Sequence, residues 1–306
     1  MTESRQAQIR PNLILRARIL SAIRLFFAQQ GFLEVETPIR IPVPAPEAHI
    51  DPQAADGWVL QTSPELCMKR LLAAGYERIF QICHCFRKKE RGSRHLPEMT
   101  LLEWYRAGWT YEQMMDHTEA LLRFVAEHLK SPNPLPYQGL DIDLTGAWER
   151  ITVAQAFARY TPLSMNQALG SGRFDEVMGL DIEPHLGLSH PVFLYDYPAE
   201  KGALARLKKN DKALAERFEL YIGGIELCNA FSELTDAAEQ RRRFEDEAAK
   251  IRLAGKEGYD LPEKFLKSLA DMPDAAGNAL GLDRLVMLLS NARQIDEVVA
   301  FTSEEL

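Results

Sequence analysis

The residues best placed to do chemistry fall in three stretches. In the first, Arg87, Lys88, Lys89, Arg91, Arg94 and His95 gather around a single Glu90. The whole chain carries a formal net charge of -8, so this loop is basic against its background and offers a place for an anion. A solvated turn is the alternative for any charge run. Just downstream, Met99, Leu101, Glu103 and Tyr105 alternate, so on a strand they share one face and set a carboxylate and a phenol among apolar neighbours. Such a pair can grip a cation. In the second stretch, Glu219 and Glu226 flank Gly223-Gly224. In the third, Arg284 follows a run of small residues and opens a helix near its positive end, an electrostatically poor position without an anion.

These residues need elements to hold them. Before the basic loop, Phe80, Ile82, His84 and Phe86 alternate with Ile79, Gln81, Cys83 and Cys85. Residues 79–105 therefore read as two antiparallel strands joined by the cationic loop. Gly223-Gly224 between two β-rich arms predicts a two-residue hairpin turn. That turn sets Glu219 opposite Cys228 and Tyr221 opposite Glu226, with Glu219 and Glu226 as diagonal neighbours roughly 7 to 8 Å apart at Cα. Carboxylates this close repel unless a cation or proton lies between them, and hard oxygen donors suit magnesium; a water-exposed hairpin face is the alternative. In a regular strand Asn229, Phe231 and Glu233 would face away from Glu226, so a shared site requires a bulge near Cys228.

Around these stretches the punctuation is ordinary. Asn12 is expected to cap a helix whose inward face is Leu15, Ile19, Ala22, Ile23, Phe26 and Phe27, with Gly31 ending it. Residues 41–57, with four prolines, read as a connecting loop. Thr62 or Ser63 is expected to cap a helix starting at Pro64 and Glu65, where Glu65 would complement the helix dipole. Thr110 and Gln113 form a capping box, SPNPLPYQG reads as a surface linker, and Thr152 caps a further helix.

At 306 residues and 46% hydrophobic content the chain can bury a substantial core. No apolar run is long enough to span a bilayer and the first residues do not form a signal peptide, so a cytoplasmic location is expected. The four cysteines, Cys67, Cys83, Cys85 and Cys228, are too few and too irregular for a disulfide framework. Cys83, His84 and Cys85 alternate across a strand without a second CxxC or HxxxH, which argues against zinc. A pI near 5.5 argues against extensive binding of a nucleic-acid backbone.

FRKKE followed by RHLPEMTLLEWY resembles motif 2 of the class II aminoacyl-tRNA synthetases, in their lysyl branch. GFLEVETPIR, with its proline Pro38, is similar to motif 1, and MPDAAGNALGLDRLVMLLSN to motif 3. The resemblance implies an α+β class II catalytic core, an antiparallel sheet flanked by helices, in one domain over residues 1–306, and a homodimer through motif 1. It also implies ATP and Mg2+. Arg87 would bridge the ATP α-phosphate and the amino acid carboxylate; Glu90, His95, Met99 and Arg284 would complete the ATP site, and Glu219 and Glu226 would hold the metal. Glu65 would take the substrate amino group, Glu103, Tyr105 and Glu233 the side-chain ammonium, with Asn229 and Ala279 lining the same pocket. Two carboxylates around one ammonium make a lysine-like diamine the expected substrate. There are departures: Lys89 stands where the motif has glutamate, with Glu90 following; Met99 replaces the adenine-stacking phenylalanine, Ala230 a common glycine, and Ala279 the glycine of tRNA-charging lysyl enzymes.

Motif 1 begins within the first few dozen residues, leaving no room for the N-terminal OB-fold that reads anticodons. The resemblance is therefore nearest to the truncated lysyl paralogues that attach lysine, preferably (R)-β-lysine, to a lysine ε-amine of elongation factor P. A minimal ligase charging tRNA or another acceptor, and a non-catalytic regulatory paralogue, are the alternatives.

Overall fold

A computed structural model describes residues 4–202 and 204–306. Among them one large sheet has eight strands: β1 (Leu33–Glu34), β2 (Arg78–Phe86), β3 (Glu98–Ala107), β4 (Glu149–Thr152), β5 (Val192–Pro198), β6 (Leu214–Ile222), β7 (Ile225–Ser232) and β8 (Ala275–Gly281). Their spatial order is β1-β2-β3-β8-β7-β6-β5-β4. The expected antiparallel sheet forms the middle, while the outer pairs β1/β2 and β4/β5 run parallel.

Alternation along β2 and β3 sorts their side chains as the sequence predicts. Phe80, Leu102 and Trp104 face a core built with helices α1 (Arg10–Gln29), α3 (Tyr111–Leu129) and α5 (Leu282–Ser290). There Phe27 stacks on Phe80 with ring centroids 4.5 Å apart. The opposite face carries Gln81, Glu103 and Tyr105. Part of it is covered by α2 (Glu65–Ala73) and α4 (Ala237–Leu253), which share an apolar cluster with Tyr105 and Ile79.

The Gly223-Gly224 turn forms with both residues at positive φ, a conformation open to glycine, and Tyr221 lies opposite Glu226. Beyond that pair the register slips by one, so Leu220 lies opposite Cys228 and Glu219 opposite Asn229, correcting the expected Glu219/Cys228 pair. The extra residue is Leu227. It and Cys228 are both buried in the main core, which strict alternation would forbid to neighbours. The bulge swings Asn229 and Phe231 onto the face of Glu226. A transverse row, Gln81-Glu103-Ala279-Asn229-Glu219, now crosses five strands, and beside it runs Ile79-Tyr105-Gly277-Phe231-Arg217.

Three expected elements differ. Residues 41–57, expected as a connecting loop, contribute to a small three-stranded sheet in which Arg40–Ile41 and Gln53–Ala55 each pair antiparallel with Trp58–Leu60. Asn12 lies inside α1, which starts at Arg10 with Pro11 in its first turn; its amide donates to the Glu297 carbonyl at 3.0 Å instead of capping. The segment expected to be a surface linker forms a hairpin, Leu135–Tyr137 against Leu140–Ile142, because Leu135, Tyr137 and Ile142 bury into the main core. The Thr110/Gln113 capping box and the Thr152 cap form as expected, the latter completed into a box by Gln155. No described helix is long and apolar enough to cross a membrane.

Candidate active site

Small residues in the middle of the two transverse rows open a hollow on the sheet. Gly277 and Ala279 form its floor, between Glu103 and Tyr105 on β3 and Asn229 and Phe231 on β7, and the hollow measures about 140 Å³. A second cavity of about 450 Å³ adjoins it, with Arg87, Glu90, His95, Met99, Glu226 and Arg284 in its lining. Arg87, Asn229 and Ala279 line both. One guanidinium, one amide and one methyl thus stand where the two spaces meet.

The lining of the smaller hollow carries three carboxylates, Glu47, Glu65 and Glu103, alongside three cations, Arg87, Lys201 and Arg217. Glu103 is fully buried, and its two oxygens accept from Ser63 Oγ at 2.6 Å and Tyr105 Oη at 2.9 Å. Burial, reinforced by the charge of Glu65, pushes its carboxyl up to about 7 despite those donors. The N-cap of α2 is Pro64, without a side-chain cap, rather than the expected Thr62 or Ser63; Ser63 instead accepts from the Glu65 N–H at 3.0 Å while it supports Glu103. Glu65 lines the hollow from the first turn of α2.

Behind it lies a group that the sequence reading missed. Lys69, one turn after Glu65 and buried, is ion-paired to both Glu65 and Glu233. Desolvation works against the ammonium, but the two carboxylates outweigh it and hold the lysine above its ordinary range. The i,i+4 spacing of Glu65 and Lys69 was readable; the burial that makes the pair matter was not. Glu233 is not in the lining of the hollow. It sits directly beyond the floor, since a Cβ built on Gly277 would collide with Glu233 Oε1 and the Tyr105 ring.

Arg217, also unforeseen, donates to Asn229 Oδ1 at 2.9 Å and to Glu219, and lies 4.4 Å from the Tyr197 ring centroid. This fixes the Asn229 amide with its oxygen towards Arg217. Glu219 also accepts from Tyr197 and Tyr221, each at 2.6 Å, and is in the lining of neither cavity. Burial raises its carboxyl; Arg217 pulls the other way, while Glu226 adds to the rise. Among the described residues no group of three or more His, Cys, Asp or Glu side chains is arranged to hold a metal.

In the larger cavity Arg284 donates to the Glu226 carbonyl at 2.7 Å and lies 3.3 Å from its carboxylate. Its other terminal nitrogen meets His95 Nε2. Burial, followed by the charges of Arg284, Arg87 and Arg94, pushes the His95 imidazole down to about 4, so it is neutral and accepts from Arg284. Arg87 donates to the Thr62 carbonyl at 3.3 Å and lies 4.0 Å from Glu90, which leaves most of its fork free. Cations outnumber carboxylates in the lining of this cavity, whereas in the smaller hollow the two are balanced and the carboxylates Glu65 and Glu103 sit on α2 and β3.

The sequence model of the family tRNA synthetases class II (D, K and N) matches residues 1–305. A protein of Edwardsiella ictaluri (strain 93-146) is 40% identical over 308 residues, covering 95% of this chain and 94% of that one. One of Pectobacterium carotovorum subsp. carotovorum (strain PC1) is 40% identical over 326 residues, covering 96% and 95%. One of Salmonella gallinarum (strain 287/91 / NCTC 13346) is 38% identical over 310 residues, covering 95% of each. All three carry the name Elongation factor P--(R)-beta-lysine ligase. With its antiparallel-centred sheet flanked by helices, the chain belongs to the class II (D, K and N) tRNA synthetase family.

Proposed function

We propose that this chain is an ATP-dependent, AMP-forming ligase that activates a lysine-type amino acid, (R)-β-lysine, as its adenylate and transfers it to a lysine ε-amine of elongation factor P. The observation that carries this reading is the pairing of a hollow that holds Glu65 and Glu103 with a cationic cavity, joined at Arg87, in a chain 40% identical to ligases of that name.

An amino acid with two ammonium groups suits a hollow containing Glu65 and Glu103, with Glu233 just beyond its floor. Tyr105 and Asn229 add polar contacts, and Ala279 shapes the end nearest the carboxylate. ATP would lie in the larger cavity, its adenine against Met99, with Glu90, His95 and Arg284 around its purine and phosphates. The substrate carboxylate then attacks the α-phosphorus beside Arg87, whose planar fork can hold both reacting groups and the charge that develops between them. Arg284 and His95 steady the departing pyrophosphate.

Magnesium fits the oxygen donors with one restriction. Glu219 already accepts three hydrogen bonds, so of a carboxylate's roughly four lone-pair directions little more than one is left. Glu226 is freer, and would exchange Arg284 for a metal ion once phosphates arrive. When bound, such an ion would neutralise charge on the triphosphate.

We also propose a homodimer in the cytoplasm. Ile14, Leu25, Leu33 and Ile39, all within or beside the motif 1 segment, are exposed apolar residues that a second copy would cover. Sedimentation at micromolar concentration tests this, and a monomer would refute it.

The decisive experiment is ATP-pyrophosphate exchange with L-α-lysine and (R)-β-lysine separately, followed by transfer assays offering elongation factor P or tRNA. Exchange favouring (R)-β-lysine with label on the factor supports the reading. Label on tRNA alone would replace it with a tRNA-charging ligase, and absence of exchange with either amino acid would leave a regulatory paralogue.

A further inference from the structure

Between the motif 1 strand and α2 the chain carries a carboxylate to which the activation step above assigns no role. Glu47 is the one described residue that lines both the smaller hollow and a third cavity of about 410 Å³, whose walls include Ile50, Lys88, Lys89, Lys256 and Tyr259. Its loop is pinned rather than slack. The Ala48 N–H donates to Glu247 at 2.9 Å, Lys256 donates to the Ala48 carbonyl at 2.8 Å, and the Lys88 N–H donates to the Asp51 carbonyl at 2.7 Å.

Unlike Glu65, Glu103 and Glu219, the Glu47 carboxylate has no hydrogen bond or ion pair to a described residue. The charged groups that face it are Glu65 from α2, Arg87 from the basic loop, Glu247 from α4 and Arg217 from β6. Burial, with Glu65 next, pushes its carboxyl up to about 7. A group poised there exchanges protons readily near neutrality. It also stands close to Arg87, where the adenylate carbonyl would lie.

We propose that Glu47 takes the proton from the ammonium of the acceptor lysine as that side chain enters from the third cavity. This rests on the ligase reading above. The acceptor's –NH3+ gives one proton to the Glu47 carboxylate. The neutral amine then attacks the adenylate carbonyl carbon, the C–N bond forms, and the C–O bond to phosphate breaks with its electron pair leaving on AMP. The second N–H proton passes to solvent, and Glu47 releases its own there.

The test separates the half-reactions. With Glu47→Gln, ATP-pyrophosphate exchange should persist within a few-fold of wild type, while single-turnover transfer to elongation factor P falls roughly 10²-fold or more. Wild-type transfer should hold its rate down to about pH 7. In the variant it should climb about tenfold per pH unit towards the acceptor's own pKa. Hydroxylamine, uncharged at neutral pH, should capture the activated amino acid equally fast in both proteins, and Glu47→Asp should recover part of the transfer rate. An equal loss of exchange, an equal loss with hydroxylamine, or unchanged transfer would each overturn the role of Glu47. Wild-type protein that neither exchanges nor transfers would overturn the ligase reading and this inference together.

Discussion

Lys69 forms an ion pair with Glu233 in the protein interior, behind the floor of the smaller hollow, and Glu65 takes another side of the same ammonium. Removing a partner from a buried pair costs more than the pair gains, because the remaining charge stays without solvent. Lys69→Met keeps most of the volume and leaves two carboxylates facing each other. The expected loss is about 3–5 kcal/mol of unfolding free energy at pH 8. It should shrink towards pH 5, where Glu233, already raised to about 8 mainly by burial, is neutral in any case. Urea titration at the two pH values checks this, and a pH-independent loss would count against it.

Glu103 carries a pH dependence of the opposite kind. Its folded-state carboxyl sits at about 7 against an ordinary 4.5, so the folded protein holds this proton more tightly than the unfolded chain. Its contribution to stability therefore declines as pH rises from about 4.5 to 7 and is flat beyond, by at most about 3 kcal/mol. Glu103→Gln should remove that decline and raise the melting temperature of the ligand-free protein at pH 8. The same change should raise the KM for a diamino acid roughly 10- to 100-fold. In wild type that KM should fall as pH increases to about 7, because a bound ammonium favours the ionised carboxylate. A wild-type KM in the Glu103→Gln protein would detach Glu103 from substrate binding.

Much of this site is legible in the chain because it depends on local rules. Alternation assigns Glu103 and Tyr105 to one face, and Gly223-Gly224 fixes the turn and the Tyr221/Glu226 pair. The need for a bulge is also readable, since Asn229 could not otherwise join Glu226. Its place at Leu227 is not, because it is decided by which two neighbouring side chains the core accepts. Lys69 and Glu47 escape notice for a related reason. One looks like a surface lysine on an amphipathic helix and the other like a loop acid, until the fold sets them against Glu233 and Arg87. The proline-rich hairpin misleads because its turn residues are conspicuous, whereas the burial of Leu135 and Tyr137 comes from the core above them.

Arg284 and His95 form a ligand-free latch over the larger cavity. Burial is the main reason that the imidazole stays neutral, and the Arg284 charge is the next. Arg284→Ala should therefore move the His95 pKa upward from about 4, read by NMR titration of its ring protons. ATP-pyrophosphate exchange should fall roughly 100-fold or more, because a preorganised donor to the phosphates is lost. An unmoved His95 would mean that the ring does not sense the guanidinium.

Gly277 gives the most local test of the hollow. Its neighbours on the floor leave no room for a methyl group: a Cβ there would overlap the Tyr105 ring and Glu233 Oε1, and neither is the loose end of a long side chain. Tyr105 is tied to Glu103, and Glu233 to Lys69, so relief at one point disturbs both pairs. Gly277→Ala should cost about 1–3 kcal/mol of stability through overpacking. It should also weaken amino acid binding much more than ATP binding, since Gly277 lines the hollow and not the larger cavity. Separate KM values in the exchange assay distinguish the two. A matched rise in both would show that the methyl group distorts the sheet as a whole, and an unaltered amino acid KM would place the substrate elsewhere than on this floor.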